Sequence, residues 1–138
     1  MKFLLKLIVA AASLAGIVLV IAFFVDRSFE VKRSNTISAN RQETFEYFKN
    51  LENHEDFNVW LNQDPDANIW YEGTPGEIGY KMHWKSSNNR VGEGTQEIIT
   101  LNENESIEYK VDFVEPQSIQ ANLIVQIEDN GPNESKVT

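Results

Sequence analysis

Trp70-Tyr71-Glu72-Gly73-Thr74-Pro75-Gly76-Glu77-Ile78-Gly79-Tyr80-Lys81-Met82-His83-Trp84 is the stretch whose reading decides the fold. Pro75 presets φ and the glycines around it tolerate positive φ, so the middle of the run is a tight connection. Beyond it, Tyr80, Met82 and Trp84 alternate with Lys81, His83 and Lys85, the period of a half-buried strand. The aromatic-rich residues before the turn suit a pleated surface as well. Three bulky side chains on one face require cover, from a helix, a second sheet wall or a ligand.

Working outward, strands follow one another downstream. Val91–Leu101 reads as a strand, with Gly92 and Gly94 at its start marking a bulge or a close backbone approach. Ile107, Tyr109, Val111 and Phe113 alternate with charged residues. Ala121, Leu123, Val125 and Ile127 form the apolar face of the next strand, and residues 135–138 begin another. Upstream, Phe29 to Ile37 reads as a first strand. Asn40 and Glu43 are spaced for a capping box, and Phe45, Phe48 and Leu51 follow at helical spacing. A second short helix is expected over Glu55 to Asn62, turning Phe57, Trp60 and Leu61 inward, until Asp64-Pro65-Asp66 stops it. Helices and strands that do not alternate point to α+β with an antiparallel meander of at least five strands.

At the amino-terminal end, Leu7 to Val25 is nineteen residues with Ser13 as the one polar member. As a helix it would be about 28 Å long, near the hydrocarbon thickness of a bilayer. Lys2, Lys6 and Val20-Ile21-Ala22 also fit a cleaved signal peptide, but Phe23-Phe24-Val25 carries the apolar run past that site. The expectation is therefore a single-pass anchor over residues 1–25, in a cell membrane, with residues 26–138 on the outer (periplasmic or extracellular) face. Basic residues near the two ends are almost balanced. Residues 26–138 hold 10 basic against 21 acidic residues, a formal net charge of −11. Nucleic acid and anionic headgroups repel such a domain, so lipid is met through the leading helix and no nucleic-acid partner is expected. The absence of cysteine excludes disulfides, thiol nucleophiles and thiolate metal sites.

Phe29-x-Val31-x-Arg33, Ile37-Ser38-Ala39, Phe45 and Phe48, Trp60, Asp64-Pro65, Tyr71-Glu72-Gly73-Thr74-Pro75-Gly76, Met82-His83-Trp84 and Gly92-Glu93-Gly94 together resemble the START-like, helix-grip superfamily. Within it, the chain is similar to membrane-anchored members of the polyketide cyclase/dehydrase and lipid transport family (SRPBCC). The likeness covers residues 28–138. It implies an N-terminal transmembrane helix, then a curved antiparallel sheet with two short helices, gripping a long carboxy-terminal helix around an apolar cavity. Asn40 stands where the family often has proline, and either residue starts a helix. The sequence stops at Lys136-Val137-Thr138, before the last strand is complete and before any such long helix, so the resemblance makes 26–138 a carboxy-terminally incomplete domain.

Catalytic signals are weak. His54 lies among Glu52, Glu55 and Asp56, and His83 on the polar side of its strand, so both read as solvated surface residues. No G-x-S-x-G nucleophile elbow occurs. Asp64-x-Asp66-x-Asn68 opens like a calcium loop, then puts Ile69 at the required glycine and Pro75 at the required glutamate, so it reads as a turn and no metal site is assigned. The candidate ligand-binding residues are Trp60, Tyr80, Met82, Trp84, Tyr109, Phe113 and Leu123, with the two phenols orienting a bound molecule. The resulting reading is a domain that encloses a small apolar or amphipathic molecule without covalent chemistry and without a cofactor. A cyclase-type enzyme and a protein-interaction module of the cell envelope are the runners-up.

Overall fold

The computed structural model describes residues 2–4, 6–7, 13–17, 20 and 30–138. The chain divides into two compact units, Met1–Val31 and Lys32–Thr138. The expected anchor, Leu7 to Val25, lies largely outside the described residues. Those described within it, 7, 13–17 and 20, are helical, and Leu7, Leu14, Ile17 and Val20 are exposed within their unit. Among the described residues no helix is long and apolar enough to cross a membrane.

The second unit is α+β. Its strands are β1 (Asn35–Ile37), β2 (Asn68–Glu72), β3 (Lys81–Lys85), β4 (Glu93–Asn102), β5 (Ser106–Glu115), β6 (Ile119–Gly131) and β7 (Glu134–Val137). They form one curved seven-stranded sheet in the order β1-β7-β6-β5-β4-β3-β2, antiparallel throughout. Strands β2 to β7 are a continuous meander, and the first strand closes the order beside the last. Register breaks at Glu93/Gly94, Ile98/Thr100 and Asp129/Gly131 add local twist and bend. The whole arrangement, a bent antiparallel sheet with a few short helices on one face, is consistent with a helix-grip-like fold.

β1 is shorter than the expected Phe29–Ile37. Residues 30–34 form no strand, and Phe29 lies outside the described residues. The reason is the partner: β7 is only four residues long, and offers β1 just the rungs from Asn35↔Val137 to Ile37↔Ser135.

Helix α1 (Arg41–Lys49) starts where the capping pattern places it. Glu43 N donates to Asn40 Oδ1 at 2.9 Å, and Asn40 N donates to Glu43 Oε2 at 3.3 Å, so two otherwise orphaned donors are satisfied. The helix lies across β5, β6 and β7. Phe45 is wholly buried there, and Thr44 shares a buried 2.7 Å hydrogen bond with Ser135 of β7. Asn40→Ala is expected to cost about 1 kcal/mol of stability, read as a lower urea midpoint at unchanged slope. A loss under a few tenths would mean that packing alone holds the helix start.

The single second helix expected over Glu55 to Asn62 is replaced by three short pieces. These are a 3₁₀ turn at Leu51–Asn53, the one-turn helix α2 (His54–Phe57), and a 3₁₀ turn at Leu61–Gln63. Asn58 causes the break. Its Oδ1 accepts from both Trp60 N and Leu61 N at 3.1 Å, the side-chain competition that makes asparagine unfavourable inside helices. Leu61 is buried and Trp60 partly so, but Phe57 is 44% exposed rather than inward.

Candidate functional site

Antiparallel register places the side chains of the concave face in rows across the sheet. One row runs Ile69, Trp84, Gly94, Phe113, Ile119, and the next Tyr71, Met82, Gln96, Val111, Ala121. A third joins Ile98, Tyr109 and Leu123, with Tyr80 bonded to Ile98 through the backbone. The helices cover one part of this surface. Tyr80, Met82, Trp84, Ile98 and Tyr109 are at most 2% exposed, whereas Ile119 and Leu123 are 54% and 46% exposed at the β6 end of their rows. Val111 and Phe113 are intermediate between the two.

The seven predicted ligand residues therefore fall into three groups. Tyr80, Met82, Trp84 and Tyr109 are close-packed core. Trp60 and Phe113 pack edge-on against Trp84, at ring distances of 5.5 and 5.8 Å, and border the open part. Leu123 lies on the open strip itself. Gly94 makes this packing possible, because a Cβ there would collide with the six-membered ring of Trp84 and lie 2.7 Å from Asp112 O.

The phenols are donors with fixed partners. Tyr109 donates to Phe48 O at 2.7 Å, Tyr80 to Glu52 and Tyr71 to Glu55. Burial raises all three phenol pKa values, and the facing carboxylates raise those of Tyr80 and Tyr71 further. None is a phenolate, and none is a base, near neutral pH.

His54 corrects the sequence reading. It is 3% exposed, not solvated, with Nε2 2.9 Å from Phe48 O and Nδ1 3.1 Å from Gln96 Nε2. Its flanking carboxylates turn away, to Tyr80, Tyr71 and Tyr47, and its ring packs on Tyr109 and Phe57. Gln96 is the residue that sequence reasoning missed. A visible signal existed, since an amide at an inward position of the Gly94, Gln96, Ile98 alternation is out of place unless something bonds to it.

On the outer face, Trp70, His83 and Thr95 lie in one row across β2, β3 and β4. His83 is stacked on Trp70 with planes 6° apart, 3.0 Å from Thr95 Oγ1 and 3.3 Å from Glu72 Oε2. It is thus part-buried on the polar face, less solvated than expected. Hydroxyl, imidazole and carboxylate are in sequence here, across β4, β3 and β2. The row ties strands together.

Asp64-Pro65-Asp66 is a turn, as expected: Asp66 N donates to Asp64 Oδ1, and Ser86 donates to the other carboxylate oxygen. Gly92 and Gly94 do mark both a bulge and a close approach. An open groove of ≈ 550 Å³ lies between α1 and the Pro75-Gly76 turn, but its Glu46 and Lys49 pair with each other at 2.7 Å, and none of the seven candidate residues lines it. No family model matches the chain, and no curated protein does.

Proposed function

We propose that the chain is a membrane-anchored, START-like domain of the SRPBCC type that holds a small apolar or amphipathic molecule against the concave face of its sheet. Leu7–Val25 is the anchor, the domain stands on the outer face of the membrane, and binding involves no covalent chemistry. The observation that carries this reading is the open strip along β5 and β6, where Val111, Phe113, Ile119, Ala121 and Leu123 share the inner side of a bent sheet. Leaving apolar area there in water costs about 25 cal/mol per Å², which a bound chain recovers. The strand order, with the short helical pieces between β1 and β2 and the first strand paired with the last, supports a helix-grip assignment. The exposed helical Leu14, Ile17 and Val20 support an anchor.

Native mass spectrometry of the full-length protein, extracted from its own cells, tests the proposal. The expected result is a co-purifying lipid-like mass, lost when Leu123→Lys and Ile119→Lys place charges on the strip. Repeated recovery of the bare chain would turn the reading toward an interaction module.

A further inference from the structure

Strand β6 is thirteen residues long, and β7 covers only its later part. β5 pairs with it from Ile119 to Gln126 on one side. On the other side β7 pairs from Ile127 to Gly131, and Thr138 adds a last rung at Gln126. That rung fixes the direction of the backbone groups on the bare part. Gln126 N donates to Thr138 O and Thr138 N to Gln126 O, each at 2.9 Å. Residues two apart in a strand send their N–H and C=O to the same side. The register with β5 is unbroken from Ile119 to Gln126, so Ile124, Asn122 and Gln120 aim their N–H and C=O past the end of β7. Among the described residues no backbone group pairs with them there, and residues 119–124 are all exposed. Such a row of open donors and acceptors is a template for one more strand.

The side chains beside the edge state what that strand must carry. On the concave side Ile119, Ala121 and Leu123 are apolar. On the opposite side Gln120 donates to Asp112 at 2.6 Å and Asn122 to Glu108 at 3.1 Å, which puts two carboxylates one strand in from the edge. Lys110 is the cation beside them, 3.0 Å from Asp112. Residues 26–138 hold 10 basic against 21 acidic residues. A second copy on this edge would bring the same excess of negative charge, whereas a basic segment would be attracted.

We infer that the bare edge of β6 binds an extended, basic segment of another polypeptide, antiparallel to β6 and in line with β7. Its apolar residues lie on the side of Ile119 and Leu123, and its alternating lysines or arginines on the side of Glu108 and Asp112. Backbone hydrogen bonds supply the affinity, and the alternation supplies the selection. Strand addition of this kind depends on backbone direction rather than on a bound small molecule, and so goes beyond the function proposed above.

The probe is a capped, fluorescently labelled Lys-Val-Lys-Val-Lys peptide, titrated into the full chain in dodecyl maltoside micelles. In the antiparallel register its lysine amides face β6 and its valine amides face away. N-methylation of the lysine amides is expected to weaken binding roughly tenfold or more, and N-methylation of the valine amides by less than about twofold. Glu-Val-Glu-Val-Glu is expected to bind roughly tenfold more weakly than the basic peptide. Hydrogen exchange at the Gln120, Asn122 and Ile124 amides should be fast in the free chain and slow with peptide bound. Asn122→Pro removes one edge donor, leaves the β5 ladder its bonds and should weaken binding severalfold. Should that variant fail to fold, the two methylated peptides on the unaltered chain still decide. No binding, or equal losses from the two methylations, overturns the strand site. Equal affinity for the acidic peptide overturns the basic partner. Slow exchange of the three amides in the free chain overturns the open edge, and a dimer in sedimentation would then make a second copy its occupant.

Discussion

Gly92→Ala is expected to lower stability by about 3–4 kcal/mol, a large part of the ~5–15 kcal/mol that holds a domain of this size together. Two effects add. Gly92 has φ +65°, where a side chain costs about 1–2 kcal/mol. A Cβ there would also collide with the carbonyl oxygen of Glu115 and lie 2.7 Å from its carbonyl carbon, both backbone atoms that cannot swing aside. Gly79 separates the two effects. Its φ is +91°, yet a Cβ would meet nothing within 4 Å, so Gly79→Ala should cost only the ~1–2 kcal/mol of backbone strain. Urea unfolding of both variants, followed by tryptophan fluorescence, gives the comparison. Equal losses would mean that the end of β5 does not press on the start of β4 as described.

That approach was legible before any coordinates, because two glycines opening an otherwise regular strand have few other uses. The same holds for the meander. Ile107, Tyr109, Val111 and Phe113 alternate so cleanly that one register of β5 buries the apolar set, and a one-residue slip would expose it. Asn40 and Glu43 announce the start of α1 by chemistry that needs no tertiary partner. What could not be read depends on distant pairing. The length of β1 is decided by β7, about a hundred residues later. The helix over Glu55 to Asn62 fails because Asn58 finds two backbone donors, a local choice that sequence spacing leaves open. His54 sits among Glu52, Glu55 and Asp56, a neighbourhood that looks wet, and its burial depends on Gln96, which is 42 residues away. The candidate site shows the same limit. Period two put Tyr80, Met82, Trp84, Tyr109, Phe113 and Leu123 on one face, but which of them are covered and which stay open depends on where α1 and the short helical pieces after it lie on the sheet.

Acid should weaken the fold through His54 before the carboxylates titrate. Burial lowers the His54 pKa from its ordinary value of 6.5, and the hydrogen bond to Phe48 O only partly opposes this. The unfolded chain therefore binds the proton first. Stability is full above about pH 6.5 and falls as pH drops from there toward the lower folded value, by up to about 1.4 kcal/mol per pH unit. The structural cost has a clear origin. A protonated ring would turn an N–H toward Gln96 Nε2, which also donates, and the charge would lie between Tyr109 and Phe57 with no carboxylate to meet it. His54→Gln removes the titration and keeps a polar group, at an expected loss of about 2 kcal/mol near neutral pH from imperfect hydrogen bonding and packing. The decisive quantity is the difference between the two proteins. Between pH 7 and pH 5.5 the parent should lose more stability than the variant. Parallel pH profiles would place the imidazole of His54 in contact with water and undo the orientation assigned to Gln96.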